Sequence, residues 1–314
     1  MIEQPSDTSP QPSAEQPPLP TPPAMAERPR GGSGGLRMAI IAIVLMVLIL
    51  IAIIGYAVAG YAAGESRVSA ADKSLNAVVS DQNKLTKTFK EIDTKFTGLS
   101  TGTNFDAAQA KTLLGQFIAD SQDATKTVVR DQASLTASST KLDELQWLTT
   151  IDKGNINKAH ARLDHAQKAL ASAKIVSEDY VQDGQFLQSF MDVILDLDKL
   201  SASASASDLA GAKAVVATLK THVDAATQQS TAPGLPTQMH ALMVDFQTLT
   251  SDFGKLLDAA IAGDETGVTT YSDKLQTDVT KLGTYNFDQM GSDVTAFYKP
   301  YIDTFNSEMS AATA

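Results

Sequence analysis

The sequence predicts an all-α protein: a single transmembrane helix followed by an elongated antiparallel helical bundle of long heptad-patterned helices with repeated αα-hairpins. Three observations carry this reading. Met38 to Ala63 contains no charged side chain, and its first two-thirds is nearly pure hydrocarbon. Downstream, apolar residues recur at alternating three- and four-residue spacing over long stretches, the period of one helix face. No run of period-2 alternation is long enough for a strand.

A bilayer core about 30 Å thick needs roughly 20 apolar helical residues to cross it. The flanks of residues 37–63 are a Pro-rich tail and a polar helical chain, which cannot wrap a helix that is apolar on every side. The stretch is therefore read as membrane-spanning, with the lipid bilayer as its partner. Arg28, Arg30 and Arg37 precede it and Arg67 and Lys73 follow, a bias that puts the N-terminus in the cytoplasm and the C-terminal domain outside. Ala57-Val58-Ala59 would also serve as a signal-peptidase site, so a cleaved leader is the rival reading. The apolar run is longer than the ~7–15 residues of a signal peptide, which favours a retained anchor.

Residues 1–36 form a disordered Pro/Gly-rich tail. They hold most of the chain's 12 prolines and end in Gly31-Gly32-Ser33-Gly34-Gly35, a composition that cannot bury enough surface to fold. Beyond the span, Leu75, Val78, Leu85, Phe89, Ile92, Phe96 and Leu99 form a heptad seam interrupted only by Gln82. That seam must pack on other helices or on a second copy of the chain, so a homo-oligomer is open. Gly98 to Asn104 is a turn. A second helix is expected over about 105–149, with Leu114, Phe117, Ala124, Val128, Leu135 and Leu142 on its stripe. A third follows over about 156–200, marked by Leu163, Leu170, Tyr180, Leu187, Phe190 and Ile194. The short link between them predicts an antiparallel hairpin with Trp147, the only tryptophan, near its tip. The tract Ser201 to Ser207 reads as a low-complexity connector. Shorter helices are expected over about 208–229, 237–262, 266–282 and 287–309, the last kinked at Pro300. The domains are then 1–36, 37–63, a long-helix stalk and hairpin over 64–200, and shorter hairpins completing the bundle over 201–314.

An offset of 56 positions aligns part of the chain with itself: Phe190/Phe246, Asp196/Asp252, Lys199/Lys255, Leu200/Leu256, Asp208/Asp264, Gly211/Gly267, Leu219/Leu275 and Val223/Val279 all match. Asp106 to Lys111 echoes Asp208 to Lys213. Each copy reads as helix, turn, Asp, helix. The Asp is explained as an N-cap, whose carboxylate takes a free backbone N–H. The functional alternative makes the repeated turns a binding edge.

Candidate chemistry is sparse. The net charge is −11, nearly all of it after residue 63, which repels nucleic acid. The absence of cysteine excludes disulfides and thiol chemistry. His160 and His165 lie on different faces of one helix, and His160 with Asp164 supplies only two ligands. Asp192, Asp196 and Asp198 lack calcium-loop spacing, and the Asp152 to Asn157 turn fails it at Gly154 and Ile156. There is no phosphate loop, nucleophile elbow or H-E-x-x-H run. Phe287, Met290, Val294, Phe297, Tyr301 and Phe305 read as a core stripe. The sequence thus points to no enzyme, no cofactor and no metal. It suggests a non-catalytic protein-interaction or scaffolding module of the cell envelope, with Trp147, Asp208 and Asp264 as candidate contact residues for a protein partner. The alternative is a ligand-sensing helical-bundle ectodomain acting through a recruited partner.

Overall fold

The computed structural model describes residues 71–100, 106–144 and 153–314. They form seven helices: α1 (Ala71–Ser100), α2 (Ala107–Glu144), α3 (Lys153–Ser205), α4 (Leu209–Gln229), α5 (Thr237–Ala262), α6 (Glu265–Leu282) and α7 (Phe287–Thr313). No strand occurs among the described residues. Residues 37–63, expected to cross a membrane, lie outside them, as does the tail. No described helix is long and apolar enough to span a bilayer.

The heptad stripes become the core as their spacing requires. Leu75, Val78, Phe89 and Ile92 of α1 are buried, with Leu114, Phe117, Val128 and Leu135 of α2 and Leu163, Leu170, Leu187 and Phe190 of α3. Gln82 is buried as well, so the polar interruption of the α1 seam still faces the interior. Each Leu or Phe fully removed from water contributes about 1.5–3 kcal/mol. Polar cross-links fix the register. Ser74 and Ser138 hydroxyls meet at 2.7 Å between α1 and α2, and Arg130 binds Asp81. Thr125 Oγ1 donates to Ser177 Oγ at 3.0 Å, and Lys111 binds Asp192, between α2 and α3. Partner numbers fall as residue numbers rise, so these neighbours are antiparallel.

The 53-residue α3 is the axis and would measure about 80 Å. It packs on α2, α4 and α7, while α5 joins α4 and α6. Its first half shares a core with the start of α1, the end of α2 and the end of α7: Ala71, Leu75, Leu135, Leu163, Leu170, Phe305 and Met309. Its second half packs with the end of α1, the start of α2, α4, α5 and the first half of α7. The bundle therefore has a base, where α1 begins and α7 ends, and a far end, where α3 passes into α4.

The two internally similar segments fold alike. Residues 190–223 give the last third of α3 and most of α4, and residues 246–279 give most of α5 and α6. Phe190 and Phe246 meet edge to face at 6.2 Å between ring centroids. The copies differ in what covers them. The second helix of the first copy is overlaid by α5 and buries Ala212, Val216, Leu219, Val223 and Ala226. Its counterpart α6 buries nothing, and Val279, which matches the fully buried Val223, is 55% exposed. Ser272 stands where α4 has Val216. A polar outer face on the last unit closes an array of stacked hairpins.

Two expectations are corrected. Residues 201–205 are not a connector but the last turn of α3, so the expected boundary at residue 200 falls inside a helix. Alanine is the best helix former, and the serines satisfy themselves locally, Ser205 Oγ donating to Ser201 O at 2.8 Å. The chain leaves the helix only at Ser207, whose φ of 56° is left-handed. In α7 the stripe is shifted by one residue: Tyr298 is buried and Phe297 is 39% exposed, giving Met290, Val294, Tyr298, Ile302, Phe305 and Met309. As expected, that helix carries Pro300 in its interior, and it runs to Thr313.

Candidate functional site

The two repeated aspartates lie at the far end of the bundle. Asp208 caps α4, accepting the Gly211 N–H at 2.8 Å, and Asp264 caps α6, accepting that of Gly267 at 3.0 Å. In both copies the third helical residue is glycine, and the capping carboxylate lies over the space its Cβ would take. Asp106 caps α2 in the same way, taking the Gln109 N–H at 3.0 Å, so the upstream echo is also a cap. Lys213 and Asp258 join the start of α4 to the end of α5 at 2.6 Å. Leu209 and Ile261, which flank that bridge, are 43% and 52% exposed.

Trp147 lies outside the described residues. The helices that bracket it end at the base, since Leu142 and Ile156 share a core with Ala71 and Phe305. The end of α2 and the start of α3 therefore do not lie at the end that carries Asp208 and Asp264.

The remaining polar residues singled out by the sequence act as clasps between helices. His165 Nδ1 meets Glu308 of α7 at 2.6 Å, and His222 Nδ1 meets the buried Asp196 at 2.7 Å. His240 pairs with Ser230 at 2.8 Å, and His160 lies against Ser139 and Asp143. The acidic trio is divided, because Asp192 is held by Lys111 of α2 while Asp196 faces α4. Among the described residues no three His, Asp or Glu side chains are grouped to hold a metal ion. The repeat also shows in charge. Lys199 binds Asp196 and Lys255 binds Asp252 at matching positions, 2.9 and 2.7 Å. Asp278 takes the place of His222, and burial together with the Asp252 and Asp245 charges raises its carboxyl above the ordinary range.

One arrangement escaped the sequence reading. Asp183, in the middle of α3, is fully buried, and Tyr298 Oη of α7 lies 2.7 Å from its Oδ2. The same hydroxyl is 3.2 Å from the carbonyl of Pro233 in the α4–α5 turn. Rings of Phe89, Phe117, Tyr180 and Tyr298 pack in succession beside it, edge to face or tilted, with centroids 5.0–6.1 Å apart. Burial raises the Asp183 carboxyl well above the ordinary range; the bond from Tyr298 opposes this, and the Asp179 charge adds to it. Asp179 is itself pushed up to about 6, by burial and then by Glu178. The available signal was positional: Asp183 sits between Tyr180 and Leu187 at a core position of the heptad. Nearby, α1, α2 and α3 leave a cleft of about 40 Å³ lined by Leu85, Phe89, Val128, Val176 and Tyr180.

No family model, curated protein or solved structure matches this chain.

Proposed function

We propose that this protein is a non-catalytic interaction module of the cell envelope, anchored in the membrane by residues 37–63 with its N-terminus in the cytoplasm. The helical bundle stands outside and offers its far end to a protein partner. The observation that carries this reading is the polarity of the bundle. The first turn of α1, next in sequence to the apolar stretch, lies at the base beside Arg162 and the end of α7. The turns with Asp208 and Asp264 lie at the opposite end of a helix about 80 Å long. There Leu209 and Ile261 are exposed between acidic caps, a surface complementary to an apolar side chain flanked by basic ones.

A ligand-sensing ectodomain would have its site, among the described residues, in the cleft among α1, α2 and α3. Its 40 Å³ accommodates a water or two, far below the roughly 300 Å³ or more of small-molecule sites, which favours the interaction reading.

The test places a photo-crosslinking residue at Leu209 or Ile261, and in a control at Lys168 near the base, in intact cells. Specific adducts from the far end, lost in an L209E/I261E variant that melts like wild type, support the proposal. Adducts from the base alone refute it. Protease accessibility of tags at the two termini tests the orientation; a protected C-terminal tag would put the bundle inside.

A further inference from the structure

The Asp183 site has a proton count that its geometry constrains. Tyr298 carries one hydroxyl hydrogen, yet two acceptors lie within reach, Asp183 Oδ2 at 2.7 Å and the Pro233 carbonyl at 3.2 Å. With an ionised Asp183, that one hydrogen cannot serve both. A negative charge would also rest on Oδ1, which is buried with no hydrogen-bond partner. With a protonated Asp183, the acid donates to Tyr298 Oη and Tyr298 donates to Pro233, so every hydrogen has an acceptor. We propose that Asp183 is a neutral carboxylic acid heading a relay through Tyr298 to Pro233, a proton-dependent latch that ties α3, α7 and the α4–α5 turn together and loosens when Asp183 ionises.

The surroundings fit this. Asp179 and Tyr180 of α3 and Tyr298 of α7 are the titratable groups that act on Asp183 or face it, and none supplies positive charge. The α4–α5 turn presents a carbonyl, and α2 presents Phe117 and Ile118, which lie against neighbouring Gly184. Gly234 fixes the turn over the hydroxyl: its φ is 86°, and an added Cβ would lie 2.6 Å from Tyr298 Cζ. The latch sits in the core that the second half of α3 shares with the first half of α7, and α7 runs from it to the base, so its state bears on how α7 is held along α3.

The test uses the full chain in detergent micelles. An infrared difference spectrum at pH 7, wild type minus D183N, is expected to show the carbonyl stretch of one protonated carboxyl; a carboxylate signal in its place overturns the proposal. In denaturant titrations, the folding equilibrium of wild type relative to D183N should fall about tenfold per pH unit as pH rises above 3.8, until Asp183 ionises in the folded state. Parallel pH profiles overturn it. Should D183N fail to fold, Y298F keeps the ring and deletes the relay hydroxyl. The acid band is then expected to move to the frequency of an unbonded carboxyl, and an unmoved band overturns the relay.

Discussion

Removing the two repeated caps separates their structural role from any binding role, because the helices they start are held differently. An N-cap aspartate replaced by alanine loses about 1 kcal/mol, roughly a fivefold change in a local equilibrium. In α4 that loss cannot stay local. Its face buries Ala212, Val216, Leu219, Val223 and Ala226 between α3 and α5, so α4 cannot open without opening the core. Asp208→Ala should therefore lower global stability by about 1 kcal/mol, read as a reduced urea midpoint with unchanged slope. The helix α6 buries no residue and packs chiefly on α5, so its unfolding is a separate, lower-energy event. Asp264→Ala should leave the urea midpoint in place and speed amide exchange in residues 268–282 about fivefold. Equal loss of global stability in the two variants would refute the assignment of α6 as a peripheral hairpin arm. Loss of a partner adduct in Asp208→Ala with no change of midpoint would mean that the carboxylate binds rather than caps.

Other outcomes follow from the same structure. Leu135→Ala opens a cavity at a position with no exposure and should cost about 2–5 kcal/mol in denaturant titrations. Gly234→Ala forces a side chain onto a left-handed backbone and into Tyr298, and should destabilise by more than ~1 kcal/mol, with a lower melting temperature. Asp179, raised to about 6, binds its proton more tightly in the folded state, so it lowers stability as pH rises from 3.8 to about 6 and has no further effect above that. Asp179→Asn should flatten that part of the profile. Substituting Phe297 by Ser should change stability little, whereas Tyr298→Ser should cost several-fold more, which checks the one-residue shift of the α7 stripe.

Most of the helical architecture was legible because burial imposes its period on the chain. The α5 bounds, Thr237 to Ala262, follow from Pro236 at one end and Gly263, with φ 69°, at the other. The caps at Asp208 and Asp264 were readable from a repeated local motif. The Ser-Ala tract was misread because low complexity suggests a linker, while alanine propensity and a continuous α3 axis decide the outcome. In α7 both Phe297 and Tyr298 fit helical spacing after Val294, and the buried Asp183 on α3 selects the tyrosine. Asp183 was hidden for the converse reason: its partner, Tyr298, is far along the sequence, and nothing local reports it. That the end of α2 and the start of α3 share the base with α7 was also illegible, because a hairpin pattern does not say which end of a bundle it occupies.

Arg162 carries a mechanical consequence. One guanidinium grips Asp72 in the first turn of α1 at 3.0 Å and the Ala312 carbonyl near the end of α7 at 2.9 Å. The start of the first described helix and the end of the last are thereby riveted to the same point on α3. Tension entering through α1 is shared at once with α3 and α7, and it loads their contacts in shear along parallel axes, so many side-chain contacts must slip together. A pull between the far end and α1 is borne by the length of the bundle, whereas a pull that separates α1 from α7 at the base loads that one side chain and the small core beneath it.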